Sequence, residues 1–197
     1  MTNIVIATSN KGKVDEIRDI LSDFSFNVIP VSDIGPMPDI VEDGKTFLEN
    51  ALKKAKIVSE TYNVIALADD SGLEVDALNG APGVYSARYA GEQATDSENN
   101  KKLLTALKDI PNKDRTARFR CCVVVYRPDG HYIWAEGICE GIIAKEPKGD
   151  KGFGYDPIFY LPSLKKTMAE LNPDEKNRLS HRFKALLSLR EKFSDFI

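Results

Sequence analysis

The stretch that most restricts the fold is the uninterrupted apolar run Val64–Ala68, followed at once by two carboxylates, Asp69 and Asp70, and then by Ser71 and Gly72. A short apolar run that includes Val and Ile reads as a buried strand of an α/β sheet. Side chains alternate along a strand, so Asp69 and Asp70 point to opposite faces, and at most one of them enters a given site directly. Acids at the C-terminal end of a core strand lie where open α/β sheets keep their ligands. Asp, Ser and Gly are also turn formers, and a simple turn at 69–72 is the competing reading.

The flanking segments alternate between the two periodicities. Asn3–Thr8 reads as a buried first strand. The polar stretch Ser9-Asn10-Lys11-Gly12-Lys13 follows, then a helix to about Leu21 with Val14, Ile17 and Leu21 on one face. A strand, a glycine-containing loop and a helix start aim backbone N–H groups and the positive helix end at an anion, and two lysines add charge. The fixed glycines and Lys-Ser/Thr ending of a P-loop are absent. Asn27–Val31 reads as a second strand, Ser32–Asp43 as a loop, and Lys45–Tyr62 as a helix with Phe47, Leu48, Ala51, Leu52, Ala55 and Val58 along its apolar stripe. Glu42 and Asp43 suit the N-terminus of that helix; Glu42 also has the chemistry of a metal ligand. Lys54 falls at a core-adjacent angle on the same helix.

Further along, Asp96 reads as the cap of a helix over Ser97–Lys108. Arg118–Tyr126 is a strong strand, Pro128-Asp129-Gly130 a turn, and Tyr132–Ile138 a returning strand that continues through Gly141–Ala144. Long strands joined by a turn argue for a mixed sheet. Lys148–Pro157 is glycine-rich, which lets backbone approach a ligand closely, and Phe153 between two glycines is a candidate stacking surface, or else an inward anchor. Asn172 caps a helix, or a pair of helices, ending near Phe193. Ser180 can start the second of the pair, with His181 and Arg182 in its first turn. The 197 residues read as one α/β domain.

Composition removes several function classes. A net charge of −3 argues against a broad nucleic-acid footprint. Cys121, Cys122 and Cys139 are odd in number, match no zinc spacing, and read as packing residues of a reduced, cytoplasmic protein. No signal pattern is present, and no apolar run approaches the ~20 residues of a membrane span. The expected partners are therefore neither nucleic acid nor membrane.

Taken together, the lysine-bearing loop at 8–13, Glu42, Asp70, the aromatic glycine loop at 152–156 and the Lys176…Ser180-His181-Arg182 block fit a nucleotide site. Two carboxylates can hold Mg²⁺, which commonly bridges protein carboxylates to phosphates. Lysines neutralise phosphates, an aromatic stacks on a base, and His and Arg read its edge.

Six motifs then carry a resemblance: Thr8–Lys13, Phe47–Ala55, Ala68–Leu73, Gly80–Tyr89, Gly152–Pro157 and Ser180–Arg182. In this order and spacing they resemble the inosine triphosphate pyrophosphatase family over essentially the whole chain, and the length is similar to that of bacterial members acting on noncanonical purine nucleoside triphosphates. The resemblance implies a long mixed central sheet with two α/β lobes flanking a nucleotide cleft, and a homodimer. It implies Mg²⁺-dependent hydrolysis of ITP, dITP and XTP to the monophosphate and pyrophosphate, which keeps deaminated purines out of DNA and RNA. Thr8, Ser9, Asn10, Lys11, Gly12 and Lys13 match the triphosphate grip; Glu42 and Asp70 match the metal ligands, with Asp70 also the general base. Lys54 matches a phosphate-side lysine and Ser71 a substrate contact. Phe153, Gly154, Tyr155, Asp156, Lys176, His181 and Arg182 match the base pocket.

On this reading water attacks the α-phosphorus, and the roles of metal ligand and base are shared between Asp70 and Asp69. Donors from Arg182 pair with the purine 6-oxygen, which adenine lacks. The alternative is a non-catalytic purine nucleotide sensor, against which the acids at 42, 69 and 70 count.

Overall fold

The computed structural model describes residues 2–22, 26–193 and 196. The chain is α/β. Its strands are β1 (Thr2–Ile6), β2 (Phe26–Pro30), β3 (Ala66–Val75), β4 (Thr116–Tyr126), β5 (Tyr132–Ile143), β6 (Phe159–Leu161) and β7 (Lys166–Thr167). Its helices are α1 (Lys11–Leu21), α2 (Phe47–Tyr62), α3 (Asp96–Ala106), α4 (Pro173–Leu179) and α5 (His181–Phe193). The sheet has seven strands in the order β2-β1-β3-β4-β5-β6-β7. It is mixed, as expected: β1 runs parallel to β2 and β3, whereas β6 is antiparallel to β5 and β7. No described helix is long and apolar enough to cross a membrane.

Two compact units partition the chain, one of Met1–Asp70, Cys121–Gly137 and His181–Ile197, the other of Ser71–Arg120 and Ile138–Ser180. The first is centred on Ile4, Ile6, Leu67, Cys121, Val123 and Val125, with Ile17, Leu21, Leu186 and Leu189 packed in. The second is centred on Leu73, Val75, Leu103, Phe119, Ile158 and Phe159.

The strand expected to stop at the two carboxylates does not stop. β3 continues to Val75, so Asp69 and Asp70 lie within it, and the turn reading of 69–72 is corrected. Leu73 and Val75 are fully buried and prolong the apolar pattern on the far side of the acids. The helix over 96–106 is capped by Thr95, not Asp96. Thr95 and Glu98 form a reciprocal capping box, which satisfies two backbone donors at once. At the C-terminal side, α4 ends at Leu179 with Ser180 as its C-cap, and α5 starts at His181, the helix-pair reading.

Arg115 holds the second unit together in a way no local pattern announces. It is 2% exposed and donates to three backbone carbonyls: Nε to Ile143 (2.7 Å), Nη1 to Leu107 (2.6 Å) and Nη2 to Ala144 (2.8 Å). Leu107 closes the C-terminal end of α3, where a cation complements the helix dipole. Arg115→Met fills similar space but leaves these acceptors without their donor. It is expected to cost about 2 kcal/mol, read as a lower urea midpoint at unchanged slope. An unchanged midpoint would show that water replaces the guanidinium at no cost.

Candidate active site

In the first unit, the alternation of β3 separates its two acids. Asp69 takes its ion-pair partners from α1 and α5; Asp70 takes its own from α2. Asp69 is 1% exposed. Its Oδ2 lies 3.1 Å from the Lys13 ammonium and accepts from Arg182 Nη2 (2.9 Å) and Nε (3.2 Å). The Nη1 arm of Arg182 donates to Glu16 on α1. Burial disfavours ionisation of Asp69, but Lys13, Arg182 and Lys54 outweigh it and hold its carboxyl well below the usual range. Arg182 is 1% exposed, and its guanidinium is held charged because Asp69 and Glu16 overcome its desolvation.

Lys13 reaches Asp69 because the chain leaving β1 turns sharply into α1. Thr8 Oγ1 accepts from the Asn10 N–H (3.2 Å), and Asn10 Oδ1 caps the helix by accepting from the Lys13 N–H (3.1 Å). Thr8, Ser9, Asn10, Lys11, Gly12 and Lys13 thus form the predicted loop and helix start, with Ser9, Asn10 and Lys11 exposed.

Asp70 sits in a different environment. Its Oδ1 is 3.4 Å from the Lys54 ammonium, and its Oδ2 accepts from Asn50 Nδ2 at 3.0 Å. The same ammonium is 3.3 Å from Glu42 Oε1. Burial raises the Asp70 carboxyl above its ordinary value, an effect that Lys54, Lys13 and the Asn50 hydrogen bond only partly offset. Lys54 is raised as well, because Asp70, Asp69 and Glu42 more than compensate for its burial. Adjacent carboxylates are therefore driven in opposite directions, a pattern associated with divided chemical roles.

Among the described residues no group of three or more His, Cys, Asp or Glu is placed to hold a metal ion. Glu42 and Asp70 do converge on one cation, the Lys54 ammonium. Two hard oxygen donors around a single positive charge are a donor set whose chemistry fits Mg²⁺.

In the second unit, Ser71 follows on β3 and is half-buried. The glycine loop is built around Asp156, which is 4% exposed. Asp156 Oδ2 accepts from the Phe153 N–H (3.0 Å) and pairs with the Lys176 ammonium (2.7 Å). That ammonium lies 4.5 Å from the Phe153 ring centroid. Gly152 and Gly154 both have positive φ, and a Cβ on Gly152 would overlap the Asp156 carboxylate. Asp96 and Asn100 of α3 tether the loop at Gly154, accepting from its N–H (2.6 Å) and donating to its carbonyl (3.0 Å).

Tyr155 points into the second core, and burial pushes its phenol up. Its hydroxyl donates to the Ser86 carbonyl (2.7 Å), while Ser86 Oγ accepts from the Leu73 N–H (2.9 Å). The Gly80–Tyr89 motif, to which no role was attached from sequence, thus braces this loop and β3. Phe153, half-buried and topped by a cation, keeps the features of a stacking platform.

The predicted residues therefore fall into two groups. The first unit collects Thr8–Lys13, Glu42, Lys54, Asp70, His181 and Arg182; the second collects Ser71, Phe153–Asp156 and Lys176. His181 and Arg182 open α5 and are 8% and 1% exposed. Sequence reasoning missed Glu16 and Asn50. Each is a polar residue at a buried position of an amphipathic helix, beside Ile17 on α1 and Ala51 on α2. That break in the stripe was the available signal.

A model of the Ham1 family matches residues 4–192. The chain is 52% identical over 188 residues to a dITP/XTP pyrophosphatase of Desulforamulus reducens, covering 95% of this chain and 94% of that protein. It is 53% identical over 189 residues to a dITP/XTP pyrophosphatase of Halalkalibacterium halodurans, covering 96% and 97%. The solved structure of a HAM1 protein from Coxiella burnetii superposes with a TM-score of 0.89 at 45% identity, covering 99% of this chain and all of that one.

Proposed function

This chain belongs to the Ham1 family, and from that premise we propose that it hydrolyses the nucleoside triphosphates of deaminated purines, dITP, XTP and ITP, to the monophosphate and pyrophosphate with Mg²⁺, cleansing the nucleotide pool. The observation that carries this reading is the convergence of Glu42 and Asp70 on the Lys54 ammonium, in the unit that also holds the anion loop at the start of α1. Glu42 and Asp70 would hold the ion, which supplies charge neutralisation and polarisation of the triphosphate when bound. Lys13 and the N-terminal turn of α1 bind phosphate oxygens, and Lys54 takes up charge on the departing pyrophosphate; such transfers depend mainly on positioning and neutralisation.

Asp70 accepts the proton of the attacking water. Of the adjacent pair it is the one left for this role, because Asp69 is committed to Lys13 and Arg182. In the second unit, Phe153 offers its ring to the purine, and the Lys176 ammonium, held by Asp156, offers a donor to the 6-oxygen. An adenine amino group presented to such a donor leaves both unpaired, which discriminates strongly. Arg182, expected from sequence to read the 6-oxygen, has its guanidinium engaged by Asp69 and Glu16, and its role in this proposal is to position those carboxylates.

Product analysis with dITP, XTP, ITP, dGTP and dATP, with and without Mg²⁺, tests the proposal. Monophosphate and pyrophosphate from the first three, only with metal, are expected. Orthophosphate as first product would place the attack on another phosphorus, and tight binding without turnover would identify a sensor.

A further inference from the structure

Asn50 ties Asp70 to Gly44, two residues after Glu42, and so links the stretches that carry the two candidate metal carboxylates. It lies in the first turn of α2, is 1% exposed, and stands four residues before Lys54, on the same face of the helix. Its Oδ1 accepts from the Gly44 N–H at 2.8 Å and its Nδ2 donates to Asp70 Oδ2 at 3.0 Å. A backbone N–H can only donate, so the amide orientation is fixed and Asn50 must present its NH₂ to Asp70.

Two parallel links therefore join the segment before α2 to β3. One runs Glu42–Lys54–Asp70 and is ionic; the other runs Gly44–Asn50–Asp70 and is made of hydrogen bonds. They engage different oxygens of Asp70. A Cβ on Gly44 would come within 2.5 Å of Asn50 Oδ1 and 2.9 Å of Glu49 Cβ, so glycine is what allows the second link to close.

The ionic link uses the ammonium that occupies the cation position between the carboxylates. We propose that Asn50 is a positioning residue: through Gly44 and Asp70 it holds the 42–44 segment and β3 in register, so that both carboxylates keep their places when Lys54 turns to phosphate. The inference rests on reading Glu42 and Asp70 as the metal ligands.

The test uses Mn²⁺ alone as probe, with bound ion measured by loss of the free-ion electron paramagnetic resonance signal. Asn50→Ala removes both hydrogen bonds. Gly44→Ala disturbs the same link from a partly exposed position and leaves Asn50 in place, so it decides the matter if Asn50→Ala does not fold. Each variant is expected to bind Mn²⁺ about 10-fold more weakly or worse. The Mg²⁺ concentration for half-maximal dITP turnover should rise by a similar factor, with a smaller fall in kcat at saturating metal. A folded Asn50→Ala or Gly44→Ala protein with wild-type Mn²⁺ affinity overturns the proposal. Absence of Mn²⁺ binding by the wild type instead overturns the assignment of Glu42 and Asp70, a separate failure.

Discussion

Asp69→Asn is expected to lower the melting temperature by roughly 10 °C, whereas Asp70→Asn should leave it unchanged or raise it. The two residues are neighbours on one strand, and the substitution is the same. The difference comes from what faces each carboxylate. Removing the charge of Asp69 strands Lys13 and half of the Arg182 guanidinium against a buried neutral amide, and breaking a buried pair from one side costs about 3–5 kcal/mol. Asp70 is raised, so the folded state already resists its ionisation; a neutral isostere relieves that cost and still accepts from Asn50, and the Lys54 ammonium it releases keeps Glu42 as a counter-ion.

The pH dependence carries opposite signs. Asp69 is lowered in the folded state, so its contribution is present above its unfolded value near 4 and is lost as pH falls through the folded value; the deficit of Asp69→Asn should shrink in acid. For Asp70, protonation stabilises below the unfolded value, and that stability is lost as pH rises through the raised folded value. The relative gain of Asp70→Asn should therefore appear only as pH rises above about 4. Turnover of dITP by Asp70→Asn should fall about 10³-fold despite its intact fold. Thermal melts from pH 3 to 8 beside rate measurements check all of this. Equal destabilisation by both variants would show that the ion pairs of Asp69 are worth no more than a hydrogen bond.

Gly137→Ala is expected to reduce kcat/KM for dITP about 100-fold. Gly137 lies on β5 beneath the first turn of α5, and an added Cβ would overlap the His181 carbonyl oxygen and the Ala185 backbone nitrogen. Its φ is not positive, so alanine is acceptable to the backbone and the whole effect is steric. Relief requires α5 to retreat on the order of 1 Å, which draws Arg182 off Asp69 and loosens the position of Lys13 in turn. Gly141→Ala is the control, since its Cβ would meet the Phe159 ring and the Tyr160 carbonyl oxygen at 2.7 Å in the other unit. Similar melting of the two variants with selective loss of turnover in Gly137→Ala is the expected result. Equal loss of turnover would mean that general loosening, and not the seat of α5, limits the reaction.

Periodicity and punctuation alone locate most elements. The apolar stripe of α1, the strands around Val5, Leu67 and Val123, and the Asn172 cap are local features, and local features are what residue patterns encode. The opposite orientation of Asp69 and Asp70 also follows from sequence, because it depends only on the two-residue period of a strand. The end of β3 does not follow. A run of Asp-Asp-Ser-Gly has the composition of a turn, and it stays extended because its acids are matched by cations from elsewhere.

Those matches are long-range. Arg182 reaches Asp69 across 113 positions, and Lys54 reaches Asp70 across 16. Nothing in a local window states which ammonium will stand beside which carboxylate, that Asn50 will hold Asp70, or that Arg115 will be buried among backbone carbonyls. The sequence by itself determined the order of the elements and the motifs that mark the family. Only the tertiary structure decided how each buried charge is satisfied, because partners brought together by folding set the free energy of a desolvated group, and that in turn gives two adjacent aspartates opposite electrostatic settings.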